Sequence, residues 1–442
     1  MAKKQLTALG GAIYAGLFTK GVEQAGFKLL GHLEHVDYGV RTAKLNYPNL
    51  DIRVGIHNWK PDDFKGKVDF MYCNPPCAVW SSMRSKVGGH PWRTDQRLSC
   101  VTSLVDAGLL IRPKAWCWES VTNAWRHGKD FVLEQAHRWT DAGYQVTVLL
   151  QDNQFLGVPQ RRQRMFLIAH QHPLVWPELT KTTTVAQALK KAPKRVTSKI
   201  ATPALSPFWQ ELWKRSDAHR GRLRTTYESM ETHDIKRLNG GGAPLAVTQR
   251  LRPDEPAPVM LASFTRLHPT EPRMLTWGEW LALCGLPADW QTAERGFDAA
   301  TRELARAVMP PVGRWLGTAV KDGIEASRPL RRTVEARLVD LRDPQAPATE
   351  LLYRHPWRDT APAVEWSPPL PTLVERKRIE RGPSTPRGPR LGSGYRTRVL
   401  LLAGRSTAEI LATIKSEFPE SKATSADVSW NRRKLRLQDN HP

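Results

Sequence analysis

Apolar and polar positions in the first 170 residues come in blocks that alternate between two periods. Short apolar runs at 27–33, 68–72, 115–118, 144–150 and 165–169 have strand length, and the segments between them are long enough for helices. Residues 6–26 read as a strand-like start, a turn of small residues and a short helix. Such alternation predicts an α/β fold, a mostly parallel sheet with helices on its faces. Ligands of such sheets bind just beyond the carboxyl ends of the strands, so side chains predicted there are the candidates for chemistry.

Three strand ends carry such groups. The run at 68–72 passes into Cys73-Asn74-Pro75-Pro76-Cys77, where the two prolines cannot continue a ladder and stiffen the turn that presents Cys77. A buried structural cysteine is the bland reading of one thiol. Glu34 ends the second run, at the place of a ribose-binding carboxylate in a strand-helix-strand nucleotide site, although a solvated surface Glu would look the same. Glu119 ends the run at 115–118, as an acid aimed into a cleft would. Ahead of the run at 165–169, extended backbone sends Gln160, Arg162 and Arg164 to one face, where two guanidiniums suit a phosphate or a base edge.

Charge changes the picture most. Lys and Arg number 66 against 43 Asp and Glu, a formal charge of +23, which attracts polyanions and makes nucleic acid the expected partner. The five cysteines form no CxxC pair and no Cys/His cluster with zinc spacing, so neither a disulfide framework nor a metal site is indicated. No run approaches the ~20 apolar residues of a membrane span, and no signal-peptide core follows Met1. The expectation is a soluble protein of a reducing interior.

Together these motifs resemble those of DNA (cytosine-5) methyltransferases. Pro75-Pro76-Cys77, Glu119-Ser120-Val121 and Gln160-Arg161-Arg162-Gln163-Arg164 stand in the order of that family's Pro-Cys, Glu-Asn-Val and Gln-x-Arg-x-Arg motifs. The segments 250–258, 273–290 and 305–312 look like its late motifs, so the match covers roughly residues 5–320. The resemblance implies a Rossmann-like sheet that binds S-adenosylmethionine (SAM) and methylates a flipped-out cytosine in double-stranded DNA. Catalytic roles then fall to Cys77, Glu119, Arg162 and Arg164, and cofactor contacts to Gly16, Glu34, Asp69 and Pro76, with no metal. Several positions depart from the family pattern. Tyr14 stands at the first glycine of the first motif, and residues 54–58 lack the acid usual in the third. Ala78 follows the cysteine in place of Gln, Ser120 replaces Asn, and Ala305-Arg306 replaces Gly-Asn. A noncatalytic DNA-binding protein on this fold and an RNA cytosine methyltransferase are the alternative readings.

The rest of the chain divides on the same basis. Residues 1–171 are expected to form the first part of the catalytic domain, 172–265 an inserted target-recognition domain with Phe208, Trp209, Trp213 and the run Gly240-Gly241-Gly242, and 266–325 the completion of the catalytic domain. A capping box at Thr276 and Glu279 opens a helix with Trp277, Trp280, Leu281 and Cys284 on its packed side. Proline and arginine then dominate 326–395, which reads as an extended linker. A small basic helical module closes the chain at 396–442, with a helix capped by Ser406 and Glu409 and a second, strongly basic helix at 428–436. A monomer in the cytoplasm of a bacterium or a phage-infected cell is expected.

Overall fold

The computed structural model describes residues 5–55, 58–80, 92–216, 249–260, 266–326, 328–330, 333–356, 364–369, 406–417, 424–425 and 427–428. They divide into two units, Met1–Thr372 and Leu373–Pro442.

In the first unit β1 (Thr7–Gly11), β2 (Lys28–Glu34) and β3 (Asp51–Val54) alternate with α1 (Leu17–Gln24) and α2 (Asp37–Asn46). β4 (Phe70–Cys73) and β5 (Ala115–Val121) flank α3 (Leu98–Ile111), and α4 (Asn123–Asp141) leads into β6 (Gln145–Asp152). The two-residue strand β7 (Gln160–Arg161) precedes β8 (Gln163–His170). β9 (Gln249–Arg250), β10 (Ala257–Pro258) and β11 (Arg266–Leu267) are short; α5 (Val185–Lys190) and α6 (Pro207–Arg215) come before them. α7 (Trp277–Leu283), α8 (Phe297–Arg306), α9 (Pro310–Ala326), β12 (Thr333–Leu341) and β13 (Ala348–Pro356) complete the unit.

Nine strands form one sheet in the order β13-β12-β6-β8-β5-β4-β1-β2-β3. Only β8 and β13 run against the rest. β4 is buried on both faces, as a central parallel strand must be; Phe70 and Tyr72 feed one core, and Met71 and Cys73 the other. Strand order reverses between β1 and β4, and the turns after these strands frame the crevice where a Rossmann-like sheet takes its ligand. One core holds α1, α7, α8 and α9, the other α3 and α4. α1 and α9 touch backbone to backbone: a Cβ on Gly21 would collide with the Pro310 carbonyl oxygen, so a late helix seals the first one.

Three expectations need correction. Residues 326–395 are not a linker throughout, because β12 pairs in parallel with β6 from Ala336–Val146 to Leu341–Gln151, and β13 pairs antiparallel to β12. Val334 and Ala336 bury on one face; Pro344 and Pro347, which suggested an extended spacer, occupy only the turn between the strands. The strap 364–369 then stacks Trp366 on the buried Trp59, ring centroids 5.8 Å apart. Glu119 lies inside β5 opposite Phe166 of β8, not at a strand end. Asp69 sits at the amino end of β4, paired with Lys114 at 2.8 Å and accepting from the Thr7 N–H at 2.8 Å. That is the edge of the sheet opposite the crevice, so Asp69 ties strand ends together, away from the place expected of a cofactor ligand.

The capping box at α7 forms as expected, with Trp277, Trp280, Leu281 and Cys284 buried. In the second unit, α10 (Thr407–Glu417) starts at Ser406, whose hydroxyl and N–H meet the Glu409 carboxylate, and it buries Ile410 and Ile414. The glycine run 240–242, the side chain of Phe208 and the second basic helix beyond Val428 lie outside the described residues.

Candidate active site

Past Cys73 the chain leaves the sheet by a turn fixed at both ends. The Asn74 N–H donates to the Gly11 carbonyl at 3.1 Å, tying this turn to the end of β1, and the Trp80 N–H donates to the Cys77 carbonyl at 3.1 Å. Pro75 and Pro76 stiffen the interval between these bonds. Cys77 is half-buried, whereas the other four cysteines are fully buried.

Glu119 approaches this turn from β5. Its carboxylate pairs with Arg164 Nε at 2.8 Å and accepts from Asn74 Nδ2 at 2.6 Å. Burial raises its pKa, and the positive charges of Arg164 and Arg162 oppose the rise. Such a carboxyl is sheltered enough to be protonated when a partner requires it. The Cys77 thiol is also raised, first by burial and then by the Glu119 charge, while Arg164 and Arg162 pull it down. The thiol and the acid therefore respond to each other and to the same two guanidiniums.

The extended run from β7 to β8 turns Gln160, Arg162 and Arg164 inward and leaves Arg161 and Gln163 exposed, as the alternation predicts. Gln160 is structural: Nε2 donates to the Leu283 carbonyl at 2.9 Å, and Oε1 accepts from the Met260 N–H at 3.2 Å. Arg162 Nη2 donates to the carbonyls of Ala305 and Ala307 at 3.0 and 3.3 Å, which locks the run to the end of α8. Its Nη1 is buried with no partner among the described residues, and burial lowers the guanidinium to about 9. An unfilled buried donor of this kind suits an acceptor brought by a ligand.

The first crevice wall carries the other sequence candidates. Glu34, fully buried, accepts from the N–H groups of His35 and Val36 on one oxygen at 2.8 Å each, and from the Tyr14 N–H on the other at 2.6 Å. Burial pushes it up to about 7. The Ile13 N–H is close enough to act as a fourth donor, so a ribose hydroxyl would share or displace one of these bonds. Gly16 caps α1 in the left-handed region at φ 85, while Pro76 is half-buried in the Cys77 turn. Tyr14, at the position where the family pattern has glycine, is held at φ 51 with its ring buried; Ala12 has φ 50. The backbone thus keeps the left-handed turn that a glycine serves without its smallest side chain. This donor set fits a nucleoside cofactor.

Cys77, Glu119, Arg162 and Arg164, expected together from the sequence, are neighbours in the fold; Gly16, Glu34 and Pro76 lie in the turns after β1, β2 and β4, and Asp69 lies at the other end of β4. Sequence reasoning missed Asn74, whose amide joins the thiol turn to the acid; its place three residues before Cys77 was the available signal. It also missed Arg306, whose Nη1 donates to the Tyr38 hydroxyl at 2.9 Å at the mouth of the site.

Comparisons with known proteins agree with this geometry. Residues 13–322 match the C-5 cytosine-specific DNA methylase family. The chain is 26% identical to the type II methyltransferase M.PspPI of Psychrobacter sp. (strain TA137) over 351 residues, covering 70% of this chain and 80% of that protein. It is 23% identical to the type II methyltransferase M.AplI of Arthrospira platensis over 338 residues, 75% of this chain and 90% of the relative. Among solved structures, the methyltransferase EhMeth of Entamoeba histolytica superposes with a TM-score of 0.52 at 12% identity, over 74% of this chain and all of that one, a likeness of fold. No helix among the described residues is long and apolar enough to cross a membrane. With the family match running from the turn after β1 through the thiol turn and into α9, the chain belongs to the C-5 cytosine-specific DNA methylases.

Proposed function

We propose that this DNA (cytosine-5) methyltransferase works through a covalent bond between Cys77 and cytosine C6 in a base turned out of duplex DNA. The observation that supports this reading is the convergence of Cys77, Glu119 and two guanidiniums on one turn, with Arg162 Nη1 buried and unfilled. Cytosine C5 is a poor nucleophile. The Cys77 thiol gives up its proton to water, its sulfur forms a bond to C6, and the C5–C6 π pair moves to C5. Glu119, protonated, donates to N3 and draws charge from the ring as the sulfur adds. Arg162 Nη1 and Arg164 hold the base edge and keep the acid and the thiol turn in register. SAM supplies an electrophilic methyl group to C5. Water takes the proton from C5, the C5–H electron pair re-forms the C5–C6 double bond, the Cys77 sulfur departs with the C6–S pair, and the N3 proton returns to Glu119. A stacked base cannot reach Cys77, so the target leaves the helix.

SAM would be held by Glu34 at its ribose and by the turn at Gly16 and Pro76. The positive field of the chain favours duplex DNA, residues 172–265 are the target reader, and the basic segment 396–442 adds phosphate contacts. The enzyme acts as a monomer in the cytoplasm of a bacterial or phage-infected cell.

A duplex carrying 5-fluorocytosine tests the covalent step, because fluorine cannot leave C5 as a proton does. With SAM present, the protein should form a denaturation-resistant complex that Cys77→Ala abolishes. A complex that persists in Cys77→Ala, or none from the wild type on 5-fluorocytosine duplexes that cover every short sequence context, would remove Cys77 from the reaction.

A further inference from the structure

Helix α4 is broken at one residue. Gly128 has φ −117 and ψ 26 inside an otherwise helical run, so the helix kinks there. Glycine inside a helix is less stable there than alanine. The space it leaves is filled: a Cβ on Gly128 would collide with Trp80 Nε1 and lie 3.0 Å from Cε2 and 3.2 Å from Cδ1. No side chain larger than hydrogen fits while the indole is in place.

Trp80 is 4% exposed and lies three residues after Cys77, at the end of the 3₁₀ turn Ala78–Trp80. Its ring meets those of Trp118 at 5.8 Å, Phe131 at 5.9 Å and Trp92 at 6.3 Å, and Trp118 meets Phe131 edge-on at 6.1 Å. Trp118 immediately precedes Glu119 in β5, and Phe131 lies in α4 three residues beyond the kink. One aromatic cluster therefore grips the thiol turn, the strand that carries the acid, and the notched helix. Aromatic pairs of this geometry add to the stability that their buried area gives and hold a short turn in one geometry.

We propose that Trp80, seated in the Gly128 notch, is a positioning residue that sets Cys77 against Glu119 and Arg164 for attack on the base. Asn74 anchors the turn from its amino side and Trp80 from its carboxyl side, so Cys77 sits between two fixed points. The proposal rests on the reading of Cys77 as the nucleophile. Shifts of about 1 Å at a reacting atom can cost 100-fold in rate, which is the scale of effect a displaced indole would have.

The test compares wild type, Gly128→Ala, Trp80→Phe, the double variant and Cys77→Ala. Two readouts are taken: single-turnover methyl transfer to duplex DNA from SAM, and the alkylation rate of Cys77, followed by peptide mass spectrometry. Gly128→Ala should lose about 30- to 100-fold in the transfer rate, with KM for DNA and SAM within 3-fold of wild type, and its Cys77 alkylation rate should change at least 3-fold. Trp80→Phe should lose less than 10-fold. Because the smaller ring frees the notch, the double variant should recover most of both readouts lost in Gly128→Ala. If Gly128→Ala does not fold, Trp80→Ala carries the test with the same expected loss and the same alkylation change. Wild-type rates in Gly128→Ala, or in Trp80→Ala where it takes that variant's place, would overturn the proposal, as would a loss in Gly128→Ala that the double variant does not recover. Activity retained by Cys77→Ala would instead overturn the underlying reading of the nucleophile.

Discussion

Arg164 and Glu119 form a buried ion pair at 2.8 Å, with side chains 11% and 3% exposed, and this pair allows a demanding prediction. Arg164→Met removes the charge and leaves Glu119 in place, still accepting from Asn74 Nδ2. Stranding one member of a buried pair costs about 3–5 kcal/mol, and the surviving Asn74 bond puts the expected loss near the lower end, ~3 kcal/mol. Adding Glu119→Gln to Arg164→Met removes the stranded charge while keeping the shape, so the double variant should be more stable than Arg164→Met by at least ~1.5 kcal/mol. Urea unfolding followed by circular dichroism at pH 8 and pH 5.5 measures wild type, both single variants and the double variant. Loss of the guanidinium raises the Glu119 pKa further. The deficit of Arg164→Met is therefore full at high pH, where the folded carboxylate must be charged, and shrinks as pH falls and it binds a proton. Additive losses in the two single variants, with no pH dependence, would refute the reasoning.

Other consequences can be measured on the same protein. Glu303 is buried, accepts from the Thr292 hydroxyl at 2.5 Å and is pushed up to about 7 by burial. Its folded pKa lies above the unfolded one, so its stabilising effect is full below about pH 4.5 and is lost as pH rises through 7; Glu303→Gln should abolish that loss and gain up to ~3 kcal/mol at pH 8, and an unaltered pH–stability curve would exclude this. Truncation at residue 326 removes the strand that pairs with β6 and should give insoluble or unfolded protein, whereas a true linker there would leave a folded product. Deleting 396–442 should reduce the slope of log affinity for nonspecific duplex against log salt by about 0.9 for every phosphate that the tail no longer neutralises, and an unchanged slope would remove the tail from DNA binding.

The candidate wall at Cys77 and Arg162 was legible because its signals are local. Proline stiffening before Cys77 and the period-2 arrangement of Gln160, Arg162 and Arg164 are properties of a few consecutive residues, and both reappear in the fold. What was not legible depends on pairing across distance. Asp69 precedes an apolar strand in the sequence, but which end of the sheet it occupies is set by its partners Thr7 and Lys114. The strand at Thr333–Leu341 carries its own alternation, outweighed in the sequence by the surrounding prolines, and pairing with β6 is what brings its buried residues onto the core beneath α4. The notch at Gly128 is a glycine in a helical pattern until Trp80, from a turn far earlier in the chain, is seen to fill it.

The central claim is most directly tested by incubating the protein with unmethylated duplex DNA and SAM, digesting the product to nucleosides and weighing them, with Cys77→Ala alongside. The account predicts 5-methylcytosine from the wild type and none from the variant. Absence of 5-methylcytosine from the wild type, or equal amounts from both proteins, would contradict it.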